Sequence, residues 1–208
     1  MRKLLLAGPA ALLALSGVAR TSPSAHAAAV LDQEYLAHNG IIASFTGQSR
    51  PGTRRAETFT ARVAGTLSEV DVFTDLPATF TGFNILSTVG GTPTTTVLAT
   101  GTLASQSGGV AAFDVSLPVS VGEVLAIEPV ASSGGGWLAN RPGTYAGGGD
   151  FFVNPGTGFN SFVPSGIADD FRTFVTVAAA PEPASLALLG TALLGLGLVT
   201  RRRPPARL

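Results

Sequence analysis

Cysteine is absent from the 208-residue sequence, and this absence excludes several kinds of chemistry. No disulfide bond, thiolate nucleophile or cysteine-based zinc site is available to the chain. Histidine is scarce as well, since His38 is the only one beyond the first 27 residues. A catalytic triad needs a histidine beside a serine and an acid, and no Gly-x-Ser-x-Gly motif accompanies His38. We therefore predict that the protein is not an enzyme, with no catalytic residue, no metal ligand and no cofactor.

Charged residues make up only 12 % of the chain, and they are unevenly distributed. The formal net charge is zero, yet all thirteen acidic residues lie between Asp32 and Glu182, a region that holds only six arginines. The body of the chain therefore carries about seven excess negative charges. Because a negative surface repels a phosphate backbone, we predict no nucleic-acid partner. For the small basic cluster of Arg50, Arg54 and Arg55, the expected setting is a solvated loop.

Glycine and proline are abundant, with 26 and 14 residues, which favours a turn-rich β-protein over a helical one. Apolar and polar residues alternate in several segments between residues 30 and 177, with glycine-rich turns between them. We therefore predict an all-β domain over residues 30–177, an antiparallel β-sandwich of the jelly-roll kind. The apolar segment EVLAIEPV predicts a central strand. The expected core-facing positions of the other strands are Phe59, Ala61, Val63, Val70, Val72, Phe83, Ile85, Val97, Leu98, Ala111, Phe113, Val115, Leu117, Phe171, Thr173, Val175 and Val177.

The first 27 residues have the order of a secretory signal peptide. Arg2 and Lys3 precede an apolar stretch, and Ala25 and Ala27 flank His26 as a small-x-small cleavage site. The alternative is an uncleaved membrane anchor, which the short apolar stretch disfavours. No twin-arginine pair precedes that stretch, so the sequence predicts export by the Sec route with cleavage after Ala27.

Residues 184–200 form a second apolar stretch, 17 residues long and without a charge. As a helix it would span roughly 26 Å, enough for a thin bilayer. Arg201, Arg202 and Arg203 follow at once, and a basic cluster of this kind stays in the cytosol. We predict a transmembrane helix over 184–200 that holds the precursor in the inner membrane with its body on the periplasmic side. A buried core helix is the disfavoured alternative.

Pro181, Glu182 and Pro183 directly precede this predicted helix. A Pro-Glu-Pro motif, an apolar helix and an arginine cluster in this order resemble the PEP-CTERM sorting signal, here over residues 181–208. The resemblance implies a Gram-negative envelope, extracellular polysaccharide, and an exosortase that recognises the Pro-Glu-Pro segment and cuts or transfers the chain nearby. The prolines keep the segment extended and accessible. The alternative is that both prolines only mark the start of a helix.

The body resembles a β-sandwich module that is common in secreted bacterial proteins. The resemblance covers about 120 residues and implies a fold but no fixed activity. A short segment before Phe83 departs from the pattern. The matching segments are Glu57 to Thr60, Gly65 to Asp71, Pro118 to Gly122, the loops GGGW and YAGGG, and Asp170 to Val175.

The carboxylates of the body suggest two further hypotheses. Asp169 and Asp170 are adjacent, and neighbours in a strand point to opposite faces, so both cannot easily serve one ligand. A calcium site there would need oxygen atoms from other loops, for example from Asp150 or Asn154. Asp150 with Asp170 would be the candidate pair of a glycosidase, which depends on their separation.

The stretch from residue 134 to 162 combines aromatic residues with glycine, asparagine and aspartate. Aromatic rings beside amide and carboxylate groups can bind sugars in such loops. The alternative is that these rings fill the sandwich core while the glycines form turns. The candidate glycan-binding residues are Trp137, Asn140, Tyr145, Asp150 and Phe151.

Together these features predict an exported, exosortase-processed protein that acts non-catalytically at the cell surface or in the exopolysaccharide matrix. A carbohydrate-binding module with an extracellular polysaccharide as ligand is the first alternative, and a secreted glycan hydrolase the second.

Overall fold

The computed structural model describes residues 28–48, 53–153 and 163–178, and these residues form β-strands and no helix. Every ladder that joins two strands is antiparallel, so the predicted all-β, antiparallel fold is confirmed. The strands are β1 (Ala28–Tyr35), β2 (Ile41–Ala43), β3 (Arg54–Thr60), β4 (Gly65–Phe73), β5 (Ala78–Val89), β6 (Thr92–Thr100), β7 (Thr102–Ser107), β8 (Val110–Val119), β9 (Val124–Gly134), β10 (Trp137–Asn140), β11 (Asp150–Val153), β12 (Val163–Pro164), β13 (Ala168–Asp169) and β14 (Phe171–Val177).

The predicted signal peptide over 1–27 and the predicted transmembrane helix over 184–200 lie outside the described residues. Within the described ranges, no helix is long and apolar enough to cross a membrane.

One sheet contains five strands in the order β1, β14, β4, β8, β7. Val70 in β4 lies between Phe113 of β8 and Thr173 of β14, and all three side chains are buried. Successive side chains of a strand point to opposite faces, so this row and its neighbours two residues away form one inward face. The inward positions predicted for these three strands are confirmed.

A second sheet contains six strands in the order β12, β11, β3, β9, β5, β6. Its centre is β9, where residues 125–129 are all buried, as predicted for EVLAIEPV. Ile127 lies opposite Glu57 of β3 on one side and Ile85 of β5 on the other. The outer face of this sheet carries a small apolar cluster of its own, formed by Ala56, Leu86, Ala126 and Val153 with Phe151 against it.

Aromatic contacts join the two large sheets into a sandwich. Phe83 of the six-stranded sheet stacks on Phe113 of the five-stranded sheet, with ring centroids 4.3 Å apart. Phe59 and Phe171 make a second contact between the sheets at 6.1 Å. Each buried ring of this kind stabilises the fold by about 2–3 kcal/mol through burial alone. The body is therefore held by one apolar core between two sheets, which is the arrangement of a β-sandwich.

A small third sheet, in the order β13, β10, β2, packs against this core. Trp137 of β10 is fully buried, and its ring stacks on that of Phe45 at 6.0 Å. Its indole Nε1 donates a hydrogen bond to the carbonyl oxygen of Asp170 at 2.7 Å. This bond links the first residue of β10 to the residue directly before β14.

Two expectations from the sequence are wrong. Val97 and Leu98 lie on β6 at the edge of its sheet, and each side chain is more than 40 % exposed, so neither belongs to the core. Arg54 and Arg55 do not lie in a solvated loop. They begin β3, and both guanidinium groups pair with buried carboxylates. The alternation rule places them on opposite faces of the sheet, where each finds a different partner.

Candidate functional site

Three buried carboxylates meet at the inner face of the six-stranded sheet. Glu57 belongs to β3, Asp150 to β11 and Asp169 to β13, and an oxygen atom from each lies within 4.8 Å of those of the other two. All three side chains are at most 2 % exposed. Buried carboxylates are rare unless they are paired or bind a cation, so this group is the strongest candidate site among the described residues.

Strand register brings the three carboxylates together. Asp150 lies directly opposite Glu57 in the β3–β11 ladder, so both side chains leave the same face of the sheet. The backbone N–H of Asp169 donates to Glu57 Oε2 at 3.0 Å, which fixes the third member. The loop before β11 packs tightly on β3, because a Cβ atom at Gly148 would overlap the carbonyl oxygen of Thr58. A larger residue at Gly148 would push Asp150 away from Glu57.

Arg55 is the cation of the cluster. Its Nε lies 3.3 Å from Asp169 Oδ2, and its Nη2 donates to Asp150 Oδ2. Ser165 Oγ donates to the same oxygen of Asp150. One guanidinium group therefore faces three carboxylates, and the cluster carries a formal charge of −2 when all its members are ionised.

Burial shifts the pKa values of all three acids upward, and repulsion between the acids adds to the shift for Glu57 and Asp169. For Glu57, burial raises the pKa well above its ordinary value, and the negative charges of Asp169 and Asp150 add to the shift. For Asp169, burial and then the charge of Asp150 act in the same direction and raise its pKa strongly. Burial raises the pKa of Asp150 to about 6, with Arg55 opposing the shift. The cluster therefore disfavours its own fully ionised form unless further positive charge is present.

Each of the three acids retains one buried oxygen without a hydrogen-bond donor among the described residues. These atoms are Glu57 Oε1, Asp150 Oδ1 and Asp169 Oδ1. Asp150 and Asp169 are also close enough to share a proton. The arrangement is therefore suited either to holding a cation through carboxylate oxygens or to keeping protons between its members.

Asp170 does not join this cluster. Its two oxygens lie 3.1 Å from the backbone nitrogen of Ala37 and 2.7 Å from His38 Nδ1. The adjacent Asp169 points the other way, into the cluster, as the alternation of side chains along a strand predicts. Asp150, which the sequence named as a further oxygen source for Asp169, is indeed brought to it. The other named source, Asn154, lies outside the described residues.

The five predicted glycan-binding residues do not share one exposed face. The ring of Trp137 is in the core, and Asp150 is in the carboxylate cluster. Phe151 packs against the outer apolar cluster of the six-stranded sheet. Asn140 and Tyr145 do come near each other, since Asn140 Nδ2 donates to Tyr35 OH at 3.1 Å and the Tyr35 and Tyr145 rings lie 5.5 Å apart.

Sequence reasoning missed Glu57 and Arg55 as members of a site. A signal for both exists in the sequence. Arg55 and Glu57 lie four and two residues before Phe59, which was predicted to face the core. Because every second side chain of a strand points to the same face, both charged residues are also expected on the inward face. Charged residues at core positions require partners, and this requirement identifies Glu57 before any coordinates are known.

The predicted sorting residues lie outside the described part of the chain. They are Pro181, Glu182, Pro183, Arg201, Arg202 and Arg203, and the predicted signal-cleavage residues Ala25 and Ala27 lie outside it as well.

For this region, comparison with known families is decisive, because the model of the PEP-CTERM protein-sorting motif matches residues 179–203. The chain carries a PEP-CTERM sorting motif. The matched segment contains the Pro-Glu-Pro residues, the apolar stretch and the arginine cluster. A PEP-CTERM motif implies an exported, membrane-associated precursor that an exosortase processes on its way to the cell surface. No curated protein matches the chain significantly.

Proposed function

We propose that this protein is a non-catalytic surface protein, displayed by exosortase sorting at the cell surface or in the exopolysaccharide matrix. The observation that carries the proposal is the PEP-CTERM match over residues 179–203, beside a body whose described ranges contain β-strands and no helix. In this proposal the Sec route exports the chain and a signal peptidase removes residues 1–27. The exosortase then acts near Pro181, Glu182 and Pro183.

The proposed membrane topology follows from charge and hydropathy. A helix over 184–200 holds the precursor in the inner membrane, Arg201 to Arg203 remain in the cytosol, and the acidic body faces the periplasm. Glu182 then lies at the periplasmic face of the inner membrane with a proline on each side. That position presents an extended backbone and one negative charge to the exosortase.

A non-catalytic role agrees with how the polar residues of the described body are used. His38 is half exposed, and its Nδ1 contacts Asp170, while no serine of the described ranges hydrogen-bonds to its ring. The three clustered carboxylates are at most 2 % exposed, so a polymeric substrate does not reach them. Asp150 and Asp170, the candidate glycosidase pair, each bind protein groups of their own.

Deletion of the exosortase gene in the native host tests the sorting proposal. Cells with the enzyme are expected to contain a form shortened at both ends and released from the inner membrane. Cells without it are expected to accumulate a form that has lost only residues 1–27 and stays in the inner-membrane fraction. Mass spectrometry of the two chain ends distinguishes these forms.

A set of variants tests recognition of the motif itself. Glu182→Ala, and Pro181→Ala combined with Pro183→Ala, should accumulate in the unprocessed form, because the charge or the extended backbone is lost. Pro204→Ala with Pro205→Ala is the matched control, since these prolines follow the matched segment. Normal maturation of the Glu182→Ala protein would show that the glutamate is not recognised.

Glycan binding is a second candidate function, supported by one surface feature. A cleft of about 390 Å³ is lined by Tyr35 and Tyr145 together with Thr144, Glu34 and Arg62. Aromatic rings beside hydroxyl and charged groups suit a sugar ring. A glycan array probed with the purified protein tests this candidate. Binding that Tyr35→Ala weakens would support it, and an array without any signal would exclude the glycans printed on it.

A further inference from the structure

We propose that Glu57, Asp150 and Asp169 form a binding site for one calcium ion inside the β-sandwich. The three carboxylates come from different strands, β3, β11 and β13, that the chain brings together only on folding. The proposal is independent of how the protein is sorted.

The unused oxygens of the cluster are the first argument for a bound ion. Glu57 Oε1, Asp150 Oδ1 and Asp169 Oδ1 are buried and have no hydrogen-bond donor among the described residues. Native proteins rarely leave such atoms without a partner, because an unsatisfied buried oxygen costs free energy. The three acids that carry these atoms belong to one cluster, and this indicates a shared partner that is not a protein group.

Charge is the second argument. Arg55 balances only one of the three carboxylates, since the neighbouring Arg54 makes a bidentate pair with Glu128 instead. The remaining formal charge of −2 is buried, where an uncompensated charge is unfavourable. A divalent cation restores neutrality, whereas a monovalent cation leaves half of the excess.

The chemistry of the ligands selects the ion. All candidate ligand atoms are carboxylate oxygens, with no cysteine in the chain and no histidine in the cluster, which is the donor set of hard cations. Magnesium prefers to retain several water molecules in a regular octahedron, while calcium accepts six to eight oxygens, including bidentate carboxylates. Three carboxylates in an enclosed site therefore fit calcium better than magnesium.

A path for the ion exists at one side of the cluster. Asp150 also lines a cleft of about 480 Å³, whose other walls include Thr58, Gly148, Gly149 and Ile167. A bound calcium ion would take its remaining ligands from water in this cleft. Calcium sites of extracellular modules have dissociation constants of roughly 0.1–1 mM, which suits an exported protein.

The test uses the full chain, purified in detergent and stripped of metal with a chelator. Isothermal titration with CaCl₂ should show one site per chain, and MgCl₂ should bind much more weakly. Saturating calcium should also raise the midpoint of thermal unfolding by roughly 5–10 °C, because the ion binds only the folded protein.

Variants locate the site. Glu57→Gln and Asp169→Asn keep the size of each side chain but remove its charge, and calcium affinity should fall by about tenfold or more. Asp71→Asn is the matched control, because it removes the same charge from a buried aspartate on β4 outside the cluster. Its affinity for calcium should stay unchanged. Asp150→Asn serves as a third variant if either of the first two does not fold.

Several outcomes would overturn the proposal. In one of them, the wild-type protein binds no calcium, while the Glu57→Gln variant unfolds at a higher temperature than the wild type in the presence of chelator. That result would show that the carboxyl groups only share protons. Calcium binding that survives in Glu57→Gln and Asp169→Asn would place the ion elsewhere. Equal affinity for magnesium would show that the choice of ion is wrong.

Discussion

Trp137 joins three parts of the body through one side chain. Its ring is fully buried, stacks on Phe45 and donates Nε1–H to the carbonyl oxygen of Asp170. The side-chain Oδ1 of Asp170 in turn accepts a hydrogen bond from the backbone N–H of Ala37, so the small sheet and the segment after β1 both bind the residue that precedes β14. Trp137, which the sequence predicts as a glycan-binding residue, therefore stabilises the core instead.

Trp137→Phe should lower the free energy of unfolding by about 2–4 kcal/mol, since it leaves a gap and removes the donor to Asp170. Chemical denaturation followed by far-UV circular dichroism measures the change, because the variant has no tryptophan left to fluoresce. Tyr145→Phe is the control. It keeps the ring but removes the hydroxyl group that donates to Gln33, and it should cost about 1 kcal/mol. Equal losses in both variants would contradict the role assigned to Trp137.

Strand β3 shows how a single element serves two faces. Arg55, Glu57 and Phe59 point inward, where the first two belong to the carboxylate cluster. Arg54 lies on the outer face and makes a bidentate pair with Glu128 of β9 at 2.7 and 2.8 Å. Glu128 is buried and also accepts hydrogen bonds from Asn84 and Thr46. The outer pair therefore ties three adjacent strands, β3, β9 and β5, across the middle of the sheet.

Glu128→Gln should destabilise the protein by roughly 3 kcal/mol, because it removes the charge that Arg54 pairs with in a buried setting. The matched control is Glu34→Gln, which breaks the exposed pair between Glu34 and Arg172. Exposed pairs contribute less than about 1 kcal/mol, and that contribution weakens with salt. Urea denaturation of both variants at low and high salt measures the difference. A loss at Glu128 as small as the loss at Glu34 would contradict the importance of the outer pair.

For the whole molecule, charge separates the body from its two ends. Seven of the thirteen basic residues lie within the first 20 or the last eight residues, while every acid lies between residues 32 and 182. The ends interact with the export machinery and the inner membrane in the proposed function, and the body does not. Processing at both ends therefore changes the electrostatic character of the protein as well as its length.

The mature protein should be strongly acidic. The whole chain has an isoelectric point near 6.7. Loss of both ends leaves thirteen or twelve acids against six arginines, so the isoelectric point should fall to about 4, near the ordinary pKa values of carboxyl groups. Isoelectric focusing of protein from the cell surface and from an exosortase deletion strain measures this shift. Protein from the deletion strain keeps ten arginines against thirteen acids, and a surface form that focuses together with it would contradict removal of the arginine-rich end.

Alternation along the strands allowed much of the core to be predicted from the sequence. Val70, Phe113 and Phe171 face inward as their patterns indicate, because a half-buried strand exposes every second residue. The pattern failed for Val97 and Leu98, since position at a sheet edge depends on which strands pair and not on local hydropathy. The expectation of a solvated loop failed for Arg54 and Arg55, because their partners are 74 to 114 residues away in sequence.

The sequence by itself determined the all-β class and the sorting motif, because each is encoded locally in periodicity or in a contiguous run of residues. Only the tertiary structure decided that Glu57, Asp150 and Asp169 meet, since strand order and register bring together residues from three separate strands. The same pairing decided that Trp137 fills the core. Local pattern specifies which way a side chain points, and long-range pairing specifies what it meets there.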